Sequence, residues 1–251
     1  GNPEKPEVMG QIVHAIEGIS EASLALEAPV TGGNVSLYNE TDSVPIYPTP
    51  VIGAVGLLED ANLAITRSFK AEGHAVLLLG SGDLSLGGSE YLRTVHGRVE
   101  GALPALDLRA EKALYDVVLD LNRERKLASA HDVADGGLAV ALAECCFDFE
   151  SAGLGGDFEL GEELPEDDFD EAQSVRADAA LFSEAPSRMI VSTADPAAVE
   201  ARAVRAGVPC RRLGRVGGST LTLRVGGAQL ARHRVADLLS AWLGLETRLR
   251  A

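Results

Sequence analysis

Short apolar runs alternate with helical patterns over most of the chain, and this alternation restricts the fold more than any other feature. The first run, at residues 75–79, leads into a glycine-rich stretch and then into a helical stripe that Asp107 is placed to cap. Such alternation is typical of a sheet covered by helices, so residues 72–251 are predicted to form an α/β domain, layered, with a mixed sheet. Further strands are predicted at 127–133, 154–160, 189–192, 211–216 and 220–225, and helices at 138–147, 197–206 and 228–243.

The first 71 residues follow a different pattern. Apolar residues recur at helical spacing from Pro6 to about Leu26, and a proline suits the first turn of a helix. Prolines then exclude helix at 45–50, and residues 51–58 have the composition of a buried strand. Because polar and charged residues interrupt the apolar runs at 59–70, the domain boundary is predicted between residues 71 and 72. The chain opens with Gly1 directly before the helix, so we expect it to begin in mid-domain.

Composition excludes several classes of function. The chain has 38 acidic and 22 basic residues, and its net charge of −16 would repel nucleic acid and an anionic membrane. It has no apolar run of about 18 residues and no leader peptide, so we expect a cytoplasmic protein. Cys145, Cys146 and Cys210 lack the spacing of metal ligands and are expected to be buried free thiols.

Residues 29–40, with the sequence PVTGGNVSLYNE, are the most informative candidate site. Adjacent glycines let the backbone approach a ligand closely, and their N–H groups can face phosphate oxygens. Asn34 offers a neutral oxygen to magnesium, while the Ser36 hydroxyl can donate to an anionic substrate. A simple Gly-Gly-Asn turn between two strands would explain the same residues, and chemistry alone does not separate the two interpretations.

Residues 80–89, GSGDLSLGGS, resemble two phosphate-binding motifs without satisfying either. Gly82 and Gly87 have the spacing of a P-loop, but Gly88 stands where its lysine belongs, and the dinucleotide motif needs another glycine step. The stretch is therefore predicted to be a loop, either structural or covering a shared site. The acidic tract at 157–171 is predicted to be a solvated loop, because its like charges repel one another.

Residues 131–137, HDVADGG, place two carboxylates between a predicted strand and the helix that follows it. Ligands often bind at such strand ends in α/β folds. Asp132 or Asp135 could therefore bind magnesium, or could instead cap the helix that begins near Gly137. The motif lacks the spacing of a calcium-binding EF-hand loop.

Taken together, five strings resemble the large subunit of phosphoribosylformylglycinamidine synthase, and the resemblance spans nearly the whole chain. They are GNPEKPEVM at 1–9, APVTGGNVSLYNE at 28–40, TPVIG at 49–53, LGGSEY at 86–91 and HDVADGGL at 131–138. The wider superfamily contains aminoimidazole ribonucleotide synthetase and shares the Asp-Gly-Gly-Leu theme, whereas the string at 28–40 selects the amide ligase. The resemblance implies the C-terminal α/β domain of this fold, preceded by part of a β-rich dimerising domain over residues 1–71.

The resemblance also implies a reaction and its participants. In such ligases ATP, with Mg²⁺, phosphorylates the amide oxygen of formylglycinamide ribonucleotide, and ammonia then displaces phosphate to give the amidine of purine biosynthesis. Gly33 matches an ATP contact, Asn34 a magnesium ligand and Ser36 a substrate contact. The expected partners are a glutamine amidotransferase subunit, a small accessory subunit and the N-terminal remainder of the same subunit.

The catalytic histidine, the nucleotide-binding lysine and most magnesium-binding acids of this family have no match here. We therefore expect the isolated chain to be inactive and to bind ATP weakly. Two alternatives stay open: a non-catalytic scaffold module of the same complex, and another ATP-using member of the superfamily. Asp132 and Asp135 are further candidates for an auxiliary nucleotide site.

Overall fold

The chain forms two compact units, residues Gly1–Glu59 and Asp60–Ala251. This computed structural model describes residues 1–82, 84–149, 153–161 and 171–249. Residues 60–71 pack with the second unit: Phe69 is buried in its core, and the Phe69 N–H donates to the carbonyl of Cys145 at 2.8 Å. The compact units thus divide 12 residues before the predicted domain boundary at 71/72, and the β-rich domain stays a prediction.

The first unit consists of one long helix and an extended segment. Helix α1, Pro6–Ala25, has Pro6 in its first turn, as predicted, and none of its residues is buried. Strands β1 (Glu40–Thr41) and β2 (Val44–Pro45) form a short antiparallel ladder. The strand predicted at 51–58 is wrong, because this segment has no strand pairing and Val55 is fully exposed. A buried strand needs a neighbouring strand and a core, and residues 1–59 provide neither for this segment.

A seven-stranded mixed sheet forms the centre of the second unit and confirms the predicted fold class. All neighbouring strands run antiparallel except β5 and β8, which pair in parallel. The order across the sheet is β4-β6-β3-β7-β5-β8-β9. The strands are β3 (Ala75–Gly80), β4 (Ser129–Asp132), β5 (Gly156–Glu159), β6 (Arg188–Thr193), β7 (Cys210–Val216), β8 (Thr220–Val225) and β9 (Ala228–Arg234).

Helices cover both faces of this sheet. Central strand β3 is apolar throughout because its side chains alternate between two cores, Leu77 and Leu79 entering one and Val76 and Leu78 the other. The first core is closed by α3 and α6, and the second by α4, α5 and α7. The helices are α2 (Glu90–His96), α3 (Leu108–Arg123), α4 (Gly137–Cys146), α5 (Glu171–Phe182), α6 (Pro196–Ala206) and α7 (Val235–Leu249), and Ala61–Leu63 form a 3₁₀ turn.

The helix predicted at 228–243 is wrong over its first seven residues. Residues Ala228–Arg234 form β9, which pairs with β8 as a hairpin, and α7 begins only at Val235. The turn consists of Gly226 and Gly227, both with positive φ (58° and 79°), and this geometry matches the twist of paired strands. The Gly-Gly pair is therefore the sequence signal for a hairpin. The apolar residues that directly follow it belong to the second strand of that hairpin and not to the helix.

The remaining predictions for the second unit are mostly confirmed. Asp107 caps α3 by accepting the N–H groups of Arg109 and Ala110. Helices α2 and α5 were not predicted. The strand predicted at 154–160 is confirmed as β5, so Asp157 and Glu159 lie in a strand and not in the predicted acidic loop, and residue 171 begins α5. Residues 162–170 of the acidic tract lie outside the described residues.

Candidate functional site

The segment between α1 and β1 carries Gly33, Asn34 and Ser36, and it is exposed along residues 31–38. A Cβ built on Gly32 or Gly33 would meet no atom within 4 Å. Neither glycine has positive φ. Packing within the chain therefore does not explain the glycines, and the backbone is open to close approach by a ligand.

Few contacts within the first unit hold this segment. The Asn39 amide donates to the Ser36 carbonyl at 3.2 Å, and the Tyr38 N–H donates to the Gly1 carbonyl at 2.9 Å. The side chains of Asn34 and Ser36 lie two residues apart on the exposed part of the segment. The arrangement leaves both side chains accessible to a ligand.

A second group of candidate residues meets at one edge of the large sheet. Strands β3 and β4 end there and β6 begins there, because Gly80 pairs with Arg188 and Asp132 pairs with Met189. The topology thus places the predicted glycine-rich loop at 80–89 and the HDVADGG motif at the same edge. Neighbouring strand ends of this kind bring together side chains that are distant in sequence.

Asp132 and Asp135 are both exposed at this edge, and neither caps helix α4. Gly136 occupies the N-cap position of that helix and provides no side chain, so the capping interpretation of the two aspartates is wrong. Asp132 instead contacts its neighbour His131, with Oδ1 lying 3.2 Å from Nδ1. In the described part of the chain, no group of three or more His, Cys, Asp or Glu residues is placed to hold a metal ion.

His131 lies between two carboxylates. Its Nε2 lies 2.7 Å from Glu144 Oε2, and the imidazole is largely buried. The other oxygen of Glu144 accepts the indole N–H of Trp242 at 3.2 Å. These contacts join β4, α4 and α7, and sequence reasoning missed them because the three residues share no recognisable spacing.

The glycines of the 80–89 loop are explained by close packing. A Cβ on Gly80 would lie 1.9 Å from the Ser187 carbonyl oxygen, and one on Gly87 would lie 2.0 Å from the Ala102 carbonyl oxygen. Such distances are impossible for a side chain, so these positions require glycine. The Ser89 hydroxyl caps α2 by accepting the Leu92 N–H. Of the two interpretations, these contacts support the structural one. Asp83 lies outside the described residues.

Sequence reasoning also missed Glu184. One oxygen of its carboxylate, Oε1, accepts the N–H groups of Glu90 and Gly136, each at 2.8 Å. A single side chain thereby reaches the residue that follows the 80–89 loop and the glycine pair before α4. No local pattern marks it, since its partners lie 94 and 48 residues away.

The prediction of buried free thiols is confirmed for two of the three cysteines. Cys145 and Cys146 are buried and unpaired, while Cys210 is half-buried. Burial raises the pKa of Cys146 to about 12 and that of Cys210 to about 11, and it also raises the pKa of Cys145. A thiol with such a pKa is neutral at physiological pH, so none of the three is an activated nucleophile. Among the described residues, no helix is long and apolar enough to cross a membrane.

Comparison with known proteins gives one family and a consistent set of relatives. Residues 71–226 match the model of the family described as AIR synthase related protein, C-terminal domain. The chain is 46% identical over 246 residues to the phosphoribosylformylglycinamidine synthase subunit PurL of Methylocella silvestris. That alignment covers 97% of this chain and 31% of the relative, so the chain spans about a third of the length of such proteins.

Two solved structures have a similar fold. One is T. maritima PurL complexed with FGAR, with a TM-score of 0.55 and 19% identity over 71% of this chain and 30% of that chain. The other is T. maritima PurL complexed with ATP, with a TM-score of 0.53 and 19% identity over 71% of this chain and 27% of that chain. At this identity the likeness shows the fold alone. The family model and the identity to the PurL subunit confirm the resemblance that the sequence motifs predicted.

Proposed function

The chain belongs to the family of AIR synthase related proteins, C-terminal domain, and from this premise we propose that it is part of a phosphoribosylformylglycinamidine synthase. One observation carries the proposal: 46% identity to a PurL subunit across 97% of the chain. The complete subunit would be an ATP-dependent carbon–nitrogen ligase of purine biosynthesis. We place it in the cytoplasm, with formylglycinamide ribonucleotide as its substrate.

The proposed reaction has two steps. The amide oxygen of the substrate attacks the γ-phosphorus of ATP, forming an O–P bond and releasing ADP. Ammonia then adds to the activated carbon, and the C–O bond breaks to release phosphate and leave the amidine. Because neither step needs a covalent bond to the protein, catalysis depends on positioning and on neutralising the charge that develops on phosphate.

Three residues of this chain are proposed to contribute to that site. The open backbone at Gly33 would let the triphosphate approach, and the Ser36 hydroxyl would donate a hydrogen bond to the substrate. Asn34 would give magnesium one carboxamide oxygen, and bound magnesium would neutralise charge between the phosphates. Support comes from the exposure of residues 31–38 and from the free space around Gly33. Asp132 and Asp135 are proposed as auxiliary contacts to nucleotide.

The rest of the site would come from the remainder of the subunit. We propose that residues 1–71 complete a β-rich domain with that remainder, since Val51, Val55 and Leu57 are almost fully exposed within their own unit. Several large exposed apolar side chains in one short segment favour burial against another part of the subunit. A glutamine amidotransferase subunit would deliver ammonia, and a small accessory subunit would join the complex.

Substitutions in the complete subunit test this proposal. Activity is measured with ammonium as the nitrogen source, so that no amidotransferase is needed. We expect Ser36→Ala to raise the KM for formylglycinamide ribonucleotide about tenfold, through loss of one hydrogen bond to a charged group. Asn34→Ala is expected to lower kcat about a hundredfold, because the metal loses a ligand that positions charge.

The control is Ser20→Ala, whose hydroxyl donates to the Ile16 carbonyl within α1. It should leave both constants unchanged. If Asn34→Ala and Ser36→Ala also leave them unchanged in an active subunit, the chain is a scaffold module of the complex. If the complete subunit makes no amidine and a different substrate is phosphorylated, the chain belongs to another ATP-using enzyme of the superfamily.

A further inference from the structure

Residues 183–187, the loop that joins α5 to β6, alternate between buried and partly buried positions. Ser183 and Ala185 are fully buried, and Arg188 is only 4% exposed. Loops normally lie at the surface because their backbone groups need partners. Here Arg188 provides them from inside the fold, with Nε donating to the Ala185 carbonyl at 3.1 Å and Nη2 to the Ser183 carbonyl at 2.6 Å. The segment is therefore held in one shape.

This segment packs against both glycine-rich motifs of the sheet edge. Beside its contact with Gly80, it leaves no room for a side chain at two further glycines. A Cβ on Gly82 would lie 2.7 Å from the Ala185 Cβ, and one on Gly137 would lie 2.6 Å from the Phe182 carbonyl carbon. The 80–89 loop and the turn before α4 therefore approach the same piece of backbone from two sides.

Glu184 connects the start of α2 to the turn before α4. Its Oε1 accepts the N–H groups of Glu90, at the start of α2, and of Gly136, just before α4. Both donors belong to helix starts, where unpaired N–H groups carry partial positive charge and favour a carboxylate. The side chain is partly buried, so water competes less for these bonds than at the surface.

We propose that Glu184 is a positioning residue that holds the start of α2 at Glu90 and the Asp132–Gly137 turn in a fixed relation. The inference rests on the proposed function in one respect: in the ligase, this relation would place Asp132 and Asp135 for their auxiliary contact with nucleotide. The bonds of Glu184 themselves do not depend on that function. Since a single oxygen accepts both N–H groups, an amide oxygen at the same place can do so as well.

Two measurements test the two halves of the inference. Amide hydrogen exchange in the 251-residue chain reports on the Glu90 and Gly136 N–H groups, whatever the activity. We expect Glu184→Ala and the shorter Glu184→Asp to accelerate exchange at both amides at least about tenfold, and Glu184→Gln to retain most protection. In the complete subunit, Glu184→Ala and Glu184→Asp are expected to raise the KM for ATP about tenfold and to change kcat by no more than about twofold. Glu184→Gln should keep the KM of the wild-type subunit.

Glu200→Ala is the matched control, because it removes a carboxylate that is bound to Arg212 in β7. It should change neither measurement. Unchanged exchange at both amides in Glu184→Ala and Glu184→Asp would overturn the positioning role. Lost protection with an unchanged KM for ATP in an active subunit would overturn its link to nucleotide. An inactive wild-type subunit would instead refute the proposed function, while the exchange measurement would still decide whether Glu184 joins α2 to the turn before α4.

Discussion

At the residue scale, the sequence predicts local hydrogen bonds more reliably than it predicts contacts between residues that are distant along the chain. Asp107 was predicted to cap a helix and does so, because its partners lie two and three residues away in sequence. Capping of α4 is one of the two interpretations that the sequence leaves open for Asp132 and Asp135. In the structure Gly136 occupies the N-cap position, and its N–H donates to the distant Glu184. Local hydrogen bonds follow from spacing, whereas a bond across 48 residues follows only from the folded topology.

The three thiols give a prediction at this scale. At pH 8, a pKa of about 12 leaves Cys146 almost wholly protonated, and burial raises the pKa of Cys145 in the same direction. Since the thiolate is the reactive form, neither should react rapidly with a disulfide reagent such as dithionitrobenzoate in the native chain. All three thiols should react at once in guanidinium chloride, which is the internal control. Rapid native labelling of Cys145 or Cys146 would contradict the buried arrangement.

At the scale of elements, periodicity located most strands and helices, and it failed where two elements adjoin. The apolar residues of β9 and α7 form one continuous pattern, and only the positive-φ turn at Gly226 and Gly227 separates strand from helix. The segment at 51–58 failed for a different reason, since its composition suits a strand whose partners are not found in residues 1–59. Strand formation depends on neighbours as well as on sequence.

The contact between helices α3 and α6 gives the prediction at this scale. Arg202 of α6 donates to Asp120 at 2.7 Å and also binds Glu124, both in or beside α3, and its side chain is only 24% exposed. We expect Arg202→Ala to lower the free energy of unfolding by about 1–2 kcal/mol, since two charge-assisted bonds and the packing of the side chain are lost. Urea unfolding followed by the fluorescence of Trp242, the single tryptophan, measures the change.

The control for that measurement is Arg234→Ala. Arg234 binds Asp237 three residues away, and its side chain is 74% exposed, so solvent screens the pair and no measurable change is expected. Equal losses in the two variants would mean that the α3–α6 ion pairs contribute nothing specific to the fold.

At the scale of the whole molecule, the mixed α/β fold could be predicted and the complete site could not. The sheet follows from apolar runs within residues 72–251, and residues 60–251 together carry their own core. The proposed site residues Gly33, Asn34 and Ser36 instead lie in a unit without a buried residue in its helix, and their proposed partners are substrate, nucleotide and the remainder of the subunit. A pattern within one chain does not contain that information, and long family motifs supplied the prediction instead.

The last prediction concerns the chain by itself. The chain spans about 31% of the length of its relative, so most of the groups that neutralise a triphosphate in the complete subunit are proposed to lie outside these 251 residues. We therefore expect the 251-residue chain to form no amidine from formylglycinamide ribonucleotide, ATP and ammonium. Titration calorimetry should give a Kd for ATP weaker than about 1 mM, which corresponds to only about 4 kcal/mol of binding. The complete subunit, assayed in parallel, shows that the conditions support turnover. Product formation by the isolated chain would mean that the residues from Gly1 to Ala251 suffice for catalysis, and Asp132, Asp135 and His131 would then be the first acids and bases to substitute.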